Sequence, residues 1–252
     1  MAVVLLEHPR PGVAVIRLNR PDVRNALTTE VRRLIEKYIQ ESADSDTTHA
    51  IVLAGNNNVF AVGADLKDQL QRDVVGAIRA YTTHAIWKSP KPVIAAVNGD
   101  AFGGGCELVL QCDFVIASKT ARFAQPEVNL GFVPGGGATQ RLPRAIGRQN
   151  AMYALLTGTP ISAADAQRMG LVSEIVEGDA TVRAVELAEL IASKPPITVQ
   201  QIKELVRLGL DASSDVGIAM ERRGFQLMFG TKDLREGITS FLEGREPSFR
   251  GE

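Results

Sequence analysis

Glu107 and Glu127 are the two residues whose type and setting best suit them to chemistry. Glu107 ends the run Asn98-Gly-Asp-Ala-Phe-Gly-Gly-Gly-Cys-Glu107, and the apolar Leu108, Val109 and Leu110 follow it. A carboxylate in such surroundings needs a partner, or its pKa rises. Buried carboxylates with raised pKa values are common acid/base catalysts. A surface glutamate on the one polar side of a helix, or a structural ion pair, fits the same pattern equally well. Glu127 comes twenty residues later, in Gln125-Pro-Glu-Val-Asn-Leu-Gly-Phe-Val-Pro-Gly-Gly-Gly137. Pro126 favours an extended or turn conformation just before it. If both carboxylates face one cleft, one can activate water while the other handles a proton at the neighbouring carbon.

Glycine-rich segments accompany both. Gly103-Gly-Gly105 follows an apolar run and precedes a helical one. Glycine inside a helix or strand costs about 0.5–1 kcal/mol relative to alanine. Three together mark a place of close backbone approach or unusual angles. A helix starting there presents free N–H groups, which stabilise a carbonyl oxygen that becomes negative during reaction. Taken alone, the glycines favour a tight strand-to-helix turn. A third segment, Val59-Phe-Ala-Val-Gly-Ala-Asp-Leu-Lys67, places Gly63 and Ala64 between a strand and a helix. By itself it reads as an ordinary loop with Asp65 as a helix N-cap.

The elements that must position these groups alternate in type. Val3–Leu6, Val13–Leu18, Ile51–Ala54, Val93–Val97, Phe114–Ala117 and Arg122–Ala124 are predicted strands. Leu27, Val31, Leu34, Ile35, Tyr38 and Ile39 recur at helical spacing, with Thr28 as N-cap. Leu66, Leu70, Val74, Ile78, Tyr81 and Ala85 predict a second helix, stopped by Ser89-Pro-Lys-Pro92. This rhythm indicates an α/β body. From Ala138 onward nearly everything reads as helix, with Ser162–Asp165 as a capping box, Gly170 as a helix end and one late strand in 171–176. Helices are expected over Thr181–Ser193, Val199–Leu208, Val216–Met228 and Leu234–Leu242. A boundary is placed near residue 195, with residues 1–195 forming the α/β core and 196–252 a helical C-terminal region.

Bulk properties narrow the function. A net charge of −1 argues against a general polyanion binder. Two cysteines, Cys106 and Cys112, are too few for a disulfide scaffold, and their predicted place on one helix is a core place. The apolar start Ala2–Leu6 is too short for a signal peptide, and no run reaches membrane-spanning length. A soluble cytoplasmic protein is the plain expectation. His8, His49 and His84 stand in no metal-ligand spacing, and neither a nucleophile elbow nor a Walker lysine is present.

Together these segments resemble the crotonase superfamily, the enoyl-CoA hydratases and isomerases, over essentially the whole chain. The resemblance rests on Asn19–Leu27, Phe60–Lys67, Lys91–Gly99, Gly103–Leu108, Phe123–Glu127, Gly135–Leu142 and Arg235–Leu242, in order and at family-like spacing. It implies a spiral of ββα units with C-terminal helices that help build a homotrimer, often paired into a homohexamer. It implies an acyl-CoA thioester as substrate, its carbonyl held by the N–H groups of Ala64 and Gly104. By similarity to the hydratases, Glu107 and Glu127 would add water across a 2,3 double bond. Ala61, Ala64, Asp65, Leu66, Lys67 and Gly104 would contact substrate, and Arg24 would meet CoA phosphate charge. No metal or redox cofactor is implied, because CoA arrives as part of the substrate. Asp100, where hydratases often carry tyrosine, Phe102 in place of leucine, Val62 in place of alanine, and the order Gly-Gly-Gly-Ala at Gly135–Ala138 depart from the common pattern and bear on acyl-chain preference. Rival readings are double-bond isomerisation, dehydration of a specialised CoA ester, and a non-catalytic RNA-associated homologue.

Overall fold

Strands form where apolar, largely β-branched residues run between turn formers. The computed structural model describes residues 2–56, 58–78 and 84–252. Val4–Arg10 (β1) and Gly12–Leu18 (β2) form an antiparallel hairpin. Gly12 makes the turn at φ +76°, a conformation that suits glycine. Thr29–Asp44 (α1) follows, its N-terminus capped by the Thr28 side chain, which accepts from the Val31 N–H at 3.3 Å. Val31, Ile35 and Ile39 are its buried stripe.

Three strand–strand–helix units come next. The first is Thr48–Ala54 (β3), Val59–Ala61 (β4) and Leu66–Leu70 (α2), with Val74–Ile78 (α3) and Ala85–Lys88 (α4) after it. The second is Val93–Val97 (β5), Asp100–Phe102 (β6) and Gly104–Val109 (α5). The third is Phe114–Ser118 (β7), Arg122–Ala124 (β8) and a 3-10 turn at Pro126–Leu130. In each unit the first strand joins a six-stranded sheet and the second joins a four-stranded one, so the chain advances as a spiral. Helices Ala138–Ile146 (α6), Arg148–Thr157 (α7) and Ala163–Met169 (α8) follow, with the short strands Ile161–Ser162 (β9) and Glu174–Val176 (β10) around α8. Ala180–Ala192 (α9), Pro196–Gly209 (α10), Ser214–Met228 (α11) and Lys232–Glu243 (α12) end the chain.

The large sheet has the order β1-β2-β3-β5-β7-β10, parallel from β2 onward; the small one is β4-β6-β8-β9, with β4, β6 and β8 parallel. Strand alternation divides the core. Ile51, Leu53, Val93, Ala95 and Val97 face the main cluster with α1, while Val52, Ala54, Ile94 and Ala96 face α9. Helix α9 presents Ala180, Ala184 and Ala188 to that second face, and small side chains at i, i+4 and i+8 let it lie close on the sheet. Lys203 of α10 donates to Asp113 Oδ2 at 2.8 Å and to the Lys91 carbonyl at 2.9 Å.

The single helix expected over Leu66 to Ala85 is broken. Helix α2 stops at Leu70, and Asp73 Oδ1 accepts from the Gly76 N–H at 2.7 Å at the opening of α3. A side-chain acceptor of this kind starts a new helix, which the apolar spacing alone does not show. Tyr81 lies outside the described residues.

Candidate active site

Three loops leave the parallel strands of the small sheet at the same end, and each carries one part of the site. After β4, Gly63 turns at φ +93° and leads into Ala64. The Leu27 N–H donates to the Gly63 carbonyl at 2.8 Å, tying this loop to the start of α1. After β6, Gly103 turns at φ +52°, and α5 begins at Gly104. The two loops touch: a Cβ on Gly63 would stand 3.1 Å from the Gly104 nitrogen. Gly105 packs closer still on the strand behind, since a Cβ there would lie 2.1 Å from the Ala61 carbonyl oxygen. Among the described residues, nothing accepts a hydrogen bond from the N–H of Ala64 or of Gly104. Two free donors on abutting backbones are what a developing oxyanion requires.

Glu107 stands one turn into α5 and is buried. Its Oε1 accepts from the N–H of Gly136 at 2.5 Å and of Ala138 at 3.2 Å, both at the opening of α6. Glycine is needed at 136, where a Cβ would lie 2.5 Å from Glu107 Oε2. The Arg141 guanidinium secures that loop by donating to the Gly136 carbonyl at 2.9 Å, with its centre 5.1 Å from the Trp87 ring.

Glu127 lies on the 3-10 turn after β8, half-buried. Its Oε1 is 3.0 Å from where a Gly103 Cβ would stand, so it faces the opening of the helix that carries Glu107. The buried Gln125 carboxamide lies beside it, its nitrogen placed to donate to Oε1 and Oε2 at 3.1 and 3.2 Å. Burial pushes the Glu127 carboxyl up to about 7; its own backbone N–H works in the opposite direction, and the nearby Glu107 charge adds to the rise.

Of the other residues singled out in the sequence, Asp65 caps α2 by accepting from the Lys67 N–H at 3.0 Å. Leu66 and Lys67 are exposed on that helix, and Ala61 is fully buried in β4. Arg24 pairs with Asp100 at 2.6 Å, and Asp100 also takes Arg122 at 2.8 and 3.0 Å. Sequence reasoning passed over Asn25, Arg32, Gln125 and Arg141 as site elements. Arg141 had a signal, the Gln-Arg-Leu that follows the glycine run; Arg32 looked like one charge among many on an amphipathic helix.

Asn25 holds the loop before α1. It is buried at φ +55°, accepts from the Arg20 N–H at 2.8 Å and donates to the Phe60 carbonyl at 2.9 Å. Asn25→Ala strands both partners and places alanine in a left-handed conformation. The expected loss of stability is about 3 kcal/mol, read by urea denaturation.

The enoyl-CoA hydratase/isomerase family model matches residues 9–252. The chain belongs to the enoyl-CoA hydratase/isomerase family. Its relatives in that family include a probable enoyl-CoA hydratase of Rhizobium meliloti (strain 1021), 41% identical over 250 residues, covering 98% of this chain and 97% of the relative. The 2,3-dehydroadipyl-CoA hydratase of Escherichia coli (strain K12) is 39% identical over 244 residues, covering 95% of each. The crystal structure of an enoyl-CoA hydratase from Bacillus anthracis superposes with a TM-score of 0.93 at 35% identity, covering 100% of both chains. The spiral of ββα units described above is therefore the crotonase fold of this family.

Proposed function

We propose that the chain is an enoyl-CoA hydratase, adding water across the 2,3 double bond of a trans-2-enoyl-CoA to give a 3-hydroxyacyl-CoA. The observation that carries this reading is the pair of dissimilar carboxylates at one helix opening, beside two unpartnered N–H groups. The thioester oxygen sits between the Ala64 and Gly104 N–H groups, which draw electron density from C3. Glu107 takes a proton from water as the hydroxyl oxygen bonds to C3 and the π pair moves toward C2. Glu127 then delivers its proton to C2, and one proton passes from Glu107 to Glu127, by way of solvent, to reset the site. Substrate gains one water in all. Each carboxyl ends as it began.

No metal or redox cofactor enters this scheme, and CoA comes with the substrate. Ala64 to Lys67 line its channel, and Arg24 meets phosphate charge from its pairing with Asp100, which Arg122 shares. The relatives named as enoyl-CoA hydratases at about 40% identity support hydration over isomerisation. A homotrimer or a homohexamer built from two is the proposed assembly, supported by the exposed Phe225, Leu227, Phe229, Phe241 and Leu242 on the C-terminal helices. Among the described residues no helix is long and apolar enough to cross a membrane, and a cytoplasmic location is proposed.

The direct test is loss of enoyl-thioester absorbance from crotonyl-CoA, with 3-hydroxybutyryl-CoA as product. Binding without loss would move the assignment to an isomerase or a specialised dehydratase. The Glu127 pKa gives a signed pH prediction. Hydration needs Glu127 protonated, so kcat/KM should fall as pH rises through about 7. Dehydration of 3-hydroxybutyryl-CoA starts from the same singly protonated pair, with the proton on Glu107, so its kcat/KM should fall over the same range. Profiles of both directions between pH 5.5 and 8.5, recorded in one buffer series, should therefore run parallel. A hydration kcat/KM that stays level or rises across pH 7 would reject the role.

A further inference from the structure

Arg32 is a cation without an acid. It projects from α1, is largely buried, and brings Nη2 to 3.0 Å from where a Gly104 Cβ would stand. That places it against the proposed oxyanion hole. Among the described residues no side chain or carbonyl accepts a hydrogen bond from its guanidinium, and it is in no ion pair. Glu107 is the acid whose field it feels, and the Glu107 Oε1 is already taken by Gly136 and Ala138. Arg72, on the link between α2 and α3, is close enough to oppose the Arg32 charge. A third guanidinium, Arg141, stands near Glu107 and has a buried Nε with no partner.

A largely buried, unpaired guanidinium is costly, and a second one near enough to be felt adds repulsion. Hydration of a plain alkyl chain gives no reason to keep such a group beside the reacting carbons. An anion in the cleft removes both costs, because a guanidinium binds carboxylate in forked, charge-assisted hydrogen bonds. CoA has its own phosphates, but these stay with the solvent-facing part of the thioester, whereas Arg32 is half-buried with Nη2 against Gly104.

We propose that Arg32 selects an enoyl-CoA whose acyl chain carries a carboxylate. The proposal rests on the hydratase reading and names its substrate class. Arg32 is here a specificity residue, not a proton carrier.

The test compares trans-2-hexenoyl-CoA with the six-carbon enoyl-CoA that ends in a carboxylate. The wild-type enzyme should favour the acid in kcat/KM by about 10–100-fold. Arg32→Leu should collapse that ratio toward one, and Arg32→Lys should restore part of it. The same pair as N-acetylcysteamine thioesters, which lack CoA phosphates, should keep both the preference and its loss. A wild-type enzyme that treats both chains alike, or prefers the neutral one, overturns the proposal. So does an Arg32→Leu variant that weakens both CoA esters equally and neither cysteamine ester, since Arg32 would then serve the CoA phosphates. If neither chain is hydrated, the hydratase reading fails by itself. Calorimetric binding of hexanoyl-CoA against adipoyl-CoA, to wild type and Arg32→Leu, still reads the carboxylate preference.

Discussion

Glu107→Gln and Glu127→Gln should each lower kcat for crotonyl-CoA hydration by about 10²–10⁴-fold while changing KM little. The two losses have different causes. At Glu107 the glutamine oxygen can keep accepting from the Gly136 and Ala138 N–H groups, so the loop and helix stay in place. What is lost is the base proposed to take the proton from water. At Glu127 the amide has no proton to give C2, and Gln125 keeps a neighbour of the same shape. The controls differ as well. The folded-state pKa of Glu127 lies above its ordinary value, so the ionised carboxyl opposes folding above about pH 7. Glu127→Gln should therefore melt at pH 8 no lower than wild type. Steady-state kinetics with melting curves reads both parts. A variant that binds weakly yet turns over normally would reject the assigned role for that residue.

Gly104→Pro should lower kcat by about 10²–10³-fold by deleting one oxyanion donor. Proline is usually a blunt probe, but Gly104 is the first residue of α5, where its fixed φ is helical and no intrahelical bond needs the N–H. The residue before it is Gly103, which carries no Cβ to clash with the ring. Gly104→Ala is the companion variant. It keeps the N–H and asks Arg32 Nη2, at 3.0 Å, and Leu27 Cδ1, at 3.4 Å, to give way. Both are ends of flexible side chains, so its rate should lie between wild type and proline. Equal rates for proline and wild type, with both folded, would remove Gly104 from the oxyanion role.

The elements with strong local signals were legible before any coordinates. Val93–Val97 and Arg122–Ala124 coincide with β5 and β8, because apolar runs between turn formers leave few alternatives. Thr28 and Ser162 cap their helices as read from residue type, and Gly170 ends α8 in a left-handed conformation. Strands β4 and β6 escaped notice because they lie inside segments rich in glycine and asparagine, Asn56 to Gly63 and Gly99 to Gly103, that read as loop. The break at Gln71–Asp73 escaped because the apolar spacing runs through it.

The candidate site was legible where composition is unusual. Glycine runs and two lone carboxylates stood out from their neighbours, and the fold brings their loops to one end of the small sheet. Their supports were hidden, since these depend on contacts across the chain. The donors to Glu107 come from the opening of α6, 29 and 31 residues away. Arg24 offered a charge at a fitting position, but no local pattern could reveal its pairing with Asp100. Arg32 was masked by Arg33 and the other charges of α1, and only the packing of that helix against Gly104 separates it from a solvated face.

The most direct test is the fate of crotonyl-CoA in heavy water with the wild-type enzyme. At early turnover, water addition by two fixed carboxylates gives 3-hydroxybutyryl-CoA with one deuterium at C2, on one face only. Unchanged crotonyl-CoA despite binding, or deuterium entering at C4 with no hydroxyl at C3, would contradict hydration and point to proton transfer alone.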